Sequence, residues 1–190
     1  MIKIVKNNWN DITISDYETI TNITSDETLL PLEKDIEILA LLCDTTSDEI
    51  DSLPLTEFSD LRNNLEWLGN FKFNQDLKPK ELTINGKQYT IDYDLKHFTI
   101  AQFVDFQEYN KAKNLAGIVS TIMFPKGEKY ADTDCVEEIR QYLPFTICQT
   151  LLFFCVKESQ DSINNLLTSY SPLIQKKKMT LFRRLKAMFG

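Results

Sequence analysis

The sequence predicts an α+β, mainly α-helical fold: a helical bundle with a small β-hairpin or short antiparallel sheet and a C-terminal basic amphipathic helix. Three observations predict it. Apolar residues recur at helical spacing over most of the chain. Ser/Thr-x-x-Glu/Gln capping signatures open two of those stretches. One Asn85-Gly86 pair sits between two short runs rich in β-formers. With 190 residues, 43% of them hydrophobic and 26% charged, the chain can bury its own core without a disulfide or metal staple.

In chain order, Ser15 and Glu18 form a capping box, which predicts a short helix to about Thr24. Ile36, Leu39, Leu42 and Cys43 recur at helical spacing, predicting a second helix over 31–43 with Pro31 in its first turn. Thr46 or Ser47 caps a turn holding Asp48, Glu49 and Asp51, acids well placed at a helix N-terminus. After Pro54, Thr56 is expected to cap a helix with a stripe of Phe58, Leu61, Leu65 and Leu68, ending at Gly69.

The period then changes. Glu81–Ile84 and Lys87–Ile91 flank Asn85-Gly86, the pair that supplies two positive-φ positions for a type I′ hairpin turn. A lone hairpin is marginal in water, so a third strand from Ile2–Val5 or Phe71–Phe73, or a helical bed, is expected. Thr99 and Gln102 form a second capping box ahead of Phe103, Phe106 and Tyr109. Leu115–Phe124 reads as an apolar helix broken by Pro125, followed by a loop to Asp134 and a helix over Cys135–Tyr142. Pro144 opens PFTICQTLLFFCV, apolar nearly all round and therefore central to the core. Ile163–Leu167 reads as a further amphipathic piece, ended by Pro172.

Charge divides the chain into three regions. Residues 1–70 are an acidic helical region with 15 acids and 4 bases; residues 71–175 hold the hairpin and helical core, with 13 acids and 11 bases. Residues 176–190 hold 6 bases and no acid. An acidic body argues against general nucleic-acid binding, which needs many bases to neutralise phosphates. No apolar run reaches the ~18 residues of a membrane span, and the polar stretch after Met1-Ile2-Lys3 is not the core of a signal peptide. The compartment expected is a cytosol, or a particle assembled in one.

Asp44, Asp48, Glu49, Asp51, Glu57 and Asp60 lack the alternating spacing and glycine of a calcium loop, and read as helix caps and solvated rim. Cys43, Cys135, Cys148 and Cys155 show no metal-knuckle spacing, and Cys148 and Cys155 share a helix face as buried thiols. His97, the one histidine, reads as a loop hydrogen-bonding residue rather than a catalytic base. Gly69, Gly86, Gly117, Gly127 and Gly190 make no glycine-rich phosphate loop. No catalytic residue, cofactor or metal is therefore assigned, although an acidic pair formed by distant residues stays open.

The tail is different. On a helix, Leu181, Phe182, Leu185, Met188 and Phe189 share one face, bordered by Lys176, Lys177, Lys178, Arg183, Arg184 and Lys186. Such a segment docks into a partner protein's groove, folds onto its own acidic half, or lies on an anionic membrane. Docking is preferred, because Pro172 and the lysine run read as a hinge and Phe and Met are common anchors.

Two stretches carry a family resemblance. Ile38–Cys43 through Ile50, Leu53-Pro54-Leu55 and Phe58-Ser59-Asp60-Leu61 resembles the helix-turn-helix of tail-assembly chaperone-like proteins of tailed bacteriophages. Asn85–Tyr89, Phe98–Phe106, Ile118–Pro125, Tyr130 and Leu143-Pro144-Phe145 resemble small structural proteins of phages of Bacteroidetes, including crAss-like phages. The resemblance covers about 30–70 and 80–170 and transfers no catalytic residue. It implies a non-enzymatic, virion-associated protein, tail-associated or packaged as cargo, made in the host cytoplasm and docking to other phage structural proteins. The alternatives it leaves are a tail-assembly chaperone absent from the finished virion and a membrane-surface protein. Self-association also stays open.

Overall fold

Thr13 is where the chain first becomes fixed. Its side chain accepts a hydrogen bond from the Asp16 amide, and the Asp16 carboxylate accepts one from the Thr13 amide, so this pair is the capping box of the first helix. The computed structural model describes residues 2–73, 75–130 and 134–169, with side chains to residue 158. Over these residues the fold is α+β and mainly helical, as the sequence predicts. The elements are α1 (Ile14–Ser25), α2 (Pro31–Cys43), α3 (Ser47–Asp51), α4 (Leu55–Asn63), β1 (Glu81–Ile84) and β2 (Lys87–Ile91). They continue with α5 (Ile100–Lys111), α6 (Leu115–Ser120), β3 (Met123–Pro125), α7 (Val136–Tyr142) and α8 (Phe145–Ser169).

Several sequence expectations shift by a turn. The cap of α1 is Thr13, not Ser15, because residues 12–14 are held extended against the start of α8: Phe145 N–H donates to Ile12 O at 2.7 Å and Ile14 N–H to Leu143 O at 3.2 Å. Glu18 is thereby released to pair with Arg140 of α7. Helix α4 begins at Leu55 with Pro54 as its cap residue, so Thr56 lies inside it. It stops at Asn63, where the Asn64 side-chain amide donates to the Asp60 carbonyl at 2.6 Å, and a 3-10 turn, Glu66–Gly69, follows.

The hairpin forms in the expected register, Ile84 opposite Lys87, with Asn85 at φ 48° and Gly86 at φ 76°. Its third strand is neither Ile2–Val5 nor Phe71–Phe73. It is Met123–Pro125, antiparallel to β2 in the order β1-β2-β3. Phe124 precedes proline and is pushed out of the helical region, and Pro125 is tolerated because β3 is an edge. The predicted helix 115–124 therefore ends at Ser120. Ile2 and Ile4 pack instead beside α2, where Val5 and Lys6 amides both donate to the Leu42 carbonyl. Phe71 and Phe73 join a ring cluster with Trp9, Phe145 and Phe153.

Helix α8 crosses the whole fold. Phe145 belongs to the core of α1 and α2, stacked on Tyr17 at 3.7 Å between centroids. Cys148, Leu151, Leu152, Phe154 and Cys155 belong to the larger core beneath the sheet, α5, α6 and α7. A third, smaller core holds Leu39, Ala40, Cys43, Ile50 and Phe58. The piece at 163–167 is not separate: no Gly or Pro interrupts 157–169, and α8 runs unbroken to Ser169. Among the described residues no helix is long and apolar enough to cross a membrane.

Candidate functional site

The surface that stands out lies on α5. Thr99 caps its N-terminus, accepting from the Gln102 amide at 3.1 Å, while Gln102 accepts from the Thr99 amide. Gln102 then turns inward and donates from Nε2 to the Thr121 carbonyl at 2.7 Å, fixing α5 against the end of α6. Phe106 is buried and Tyr109 lies over Gly117 of α6, so closely that a Cβ there would stand 2.4 Å from the Tyr109 ring. That side of α5 is spent on the core.

The opposite side is not. Ile100, Phe103 and Val104 are 87%, 46% and 50% exposed, at the i, i+3, i+4 spacing of one helix face. Gln107 and Lys111 continue this face, about 16 Å from Ile100 to Lys111 at helical rise. Singly scattered exposed apolar residues are ordinary, and these three differ in sharing one helix face.

Helix α5 divides two cavities of opposite character. One, of about 570 Å³, is lined by Asp92, His97, Asp105, Tyr109, Tyr130 and Asp134 among others. Its acids are already engaged: Asp92 holds His97 Nδ1 at 2.8 Å, Asp105 accepts from the Tyr130 hydroxyl at 2.8 Å, and Asp134 accepts from the Val136 amide at 3.3 Å. The hydrogen bond from Asp92, then its charge, holds the His97 imidazolium on and raises its pKa. Burial, then Asp105, raises both Tyr109 and Tyr130, so both stay protonated phenols at neutral pH. His97 is thus the loop residue the sequence suggests, in a 3-10 turn, Leu95–His97, and both of its ion-pair partners are carboxylates.

The other cavity, of about 670 Å³, is a groove between the α5–α6 corner and α8. Leu115, Ile118, Leu152, Phe153 and Val156 make its apolar floor, and Lys111 and Lys113 stand at it with no acid among the lining residues. Neither lysine is in an ion pair with a described residue. Lys113 ends α5 in the left-handed region, φ 56°, with its amide donating to Asn110 O and the Asn114 amide to Tyr109 O. This is the closing position at which Gly or Asn is favoured.

The remaining candidates resolve simply. Asp44, Asp48, Glu49, Asp51, Glu57 and Asp60 are all exposed; Glu49 caps Thr46, and Asp44 is the left-handed residue ending α2. Among the described residues no three His, Cys, Asp or Glu side chains gather as a metal site. Cys43, Cys135, Cys148 and Cys155 are buried free thiols, with Cys135 raised to about 11 by burial. The docking residues of the tail, Lys176–Lys178 and Leu181–Phe189, lie outside the described residues.

Sequence reading missed Ile100, Val104, Lys111 and Lys113. The signal available was the failure of the stripe at Gln107 and Lys111, which a core-facing helix would fill with apolar residues. No family model, no curated protein and no solved structure matches the chain.

Proposed function

We propose that the chain is a non-enzymatic docking protein that joins other proteins in building or filling a tailed-phage particle. The observation that carries the docking part is the bare stripe of Ile100, Phe103 and Val104 on a helix otherwise committed to the core. An aromatic flanked by branched aliphatics on a rigid, doubly capped helix is the kind of anchor that binding hot spots use. The basic tail from Lys176 to Phe189 supplies a second contact with the same logic. The phage setting rests on the sequence resemblance of residues 30–70 and 80–170.

Quantitative mass spectrometry of purified particles tests both parts. A fixed copy number relative to the portal, lost in an Ile100→Ser/Val104→Ser variant and in a chain lacking 176–190, supports the reading. Strong expression in infected cells with none in the particle points instead to an assembly chaperone. Normal incorporation of both altered chains removes the docking role from α5 and from the tail.

A further inference from the structure

The groove below α5 differs from the α5 stripe in shape, charge and floor, and it has a counterpart elsewhere on the same molecule. Leu30 and Leu32 are 65% and 54% exposed at the start of α2. They stand between exposed Glu27 and Glu33. Lys34, the base of this short stretch, is turned away and donates to the Thr24 carbonyl at 2.7 Å. Two leucines bracketed by carboxylates therefore face solvent on the acidic half, while an apolar groove with two lysines at its α5–α6 corner lies open on the other.

Lys113 adds an independent observation. Among the described residues the other non-glycine positions at positive φ are Asp44 and Asn85, types whose short polar side chains tolerate that conformation. Lys113 has no such excuse: glycine would sit there with less strain and close α5 equally well. Lys113 is thus a long cation in a backbone state that favours glycine, beside an apolar groove.

We infer that the Lys111/Lys113 groove is a self-association site that takes the Leu30–Glu33 segment of a second copy of this chain. The leucines fill the floor made by Leu115, Leu152 and Phe153, and Glu27 and Glu33 meet the two lysines. Groove and segment are different surfaces, so the contact is heterologous, and copies add head to tail. The inference does not use Ile100, Phe103 or Val104 and does not depend on any phage setting.

Sedimentation velocity of the full chain over rising concentration is the test. Association is expected, weaker at high salt because the charge pairs are screened. Lys113→Gly and Leu32→Asp are each expected to raise the dissociation constant ~10-fold or more, the effect of losing one anchor. Lys113→Gly should keep or raise the melting temperature, so its loss of association is not a loss of fold. Leu32→Asp places an acid in a helix first turn, where it is tolerated. An equimolar mixture of the two variants should recover a pair and stop there, because one supplies an intact groove and the other an intact segment. A chain that is monomeric at every concentration overturns the inference. So does association that both variants leave unchanged, or a mixture that fails to pair.

Discussion

Helices α8 and α5 draw on the same core and end in opposite states. Along α8, Phe145, Cys148, Leu151, Leu152, Phe154 and Cys155 are all buried, split between two cores that the helix ties together. Along α5 only Gln102 and Phe106 are buried, and Ile100, Phe103 and Val104 face water. The first helix spends its apolar surface on stability. The second leaves part of its apolar surface uncovered among the described residues. If the exposed face of α5 is the docking surface proposed above, substitutions on the two helices should separate stability from interaction.

The largest effect belongs to α8. Leu151 has no exposed surface, and Leu151→Ala is expected to cost about 2–5 kcal/mol through lost burial and the cavity left behind. Chemical denaturation measures it. A loss under ~1 kcal/mol would mean that α8 is not the seam between the cores. Next comes the contact that seats α5 on α6. Gly117→Ala drives a methyl into the Tyr109 ring at 2.4 Å and should cost about 1–3 kcal/mol, despite the better helix propensity of alanine. If the variant is as stable as the parent, α5 is not clamped there, and its exposed face is not held rigid. Thr99→Ala removes the capping hydrogen bond to the Gln102 amide and should cost about 1 kcal/mol.

How much of this was legible in the sequence follows from how local each signal is. The Asn85-Gly86 turn, the Thr99–Gln102 box and helix 31–43 are written in a few adjacent residues, and the structure keeps them. The cap of α1 is Thr13, with Asp16 at the third helical position, although Ser15-x-x-Glu18 is the sequence match to a capping box. Pairing of residues 12–14 with Leu143 and Phe145, far along the chain, sets the helix start. The third strand was misplaced for the same reason: Met123–Pro125 is apolar enough to read as helix, and only its partner β2 makes it a strand. The groove was invisible, since Lys113 and Phe153 are brought together by tertiary packing alone. What a stripe leaves unburied is likewise set by neighbours that a single sequence does not show.

A smaller effect tests the acidic flank of α5. His97 is raised above its ordinary value of ~6.5 by Asp92, so its ion pair favours the folded state fully below that ordinary value. The contribution is lost as pH rises through the raised value, and above both values nothing remains. Melting temperature should therefore fall slightly from acidic toward alkaline pH, over a window that starts near the free imidazole value. Asp92→Asn keeps the oxygen that receives the Asp94 amide and removes the charge, so it should flatten the slope. An unchanged slope would assign the pH dependence to another group.

The smallest effect on stability carries the most weight for function. Ile100→Ser and Val104→Ser touch side chains that bury little, so each should change stability by less than about 0.5 kcal/mol. The same changes remove two of the three apolar groups from the α5 face. If they leave the unfolding curve in place while abolishing incorporation into particles, stability and docking are separate properties of separate helices. If they destabilise as much as Gly117→Ala does, the stripe is covered in the folded chain. The contrast between α5 and α8 would then collapse into a single core.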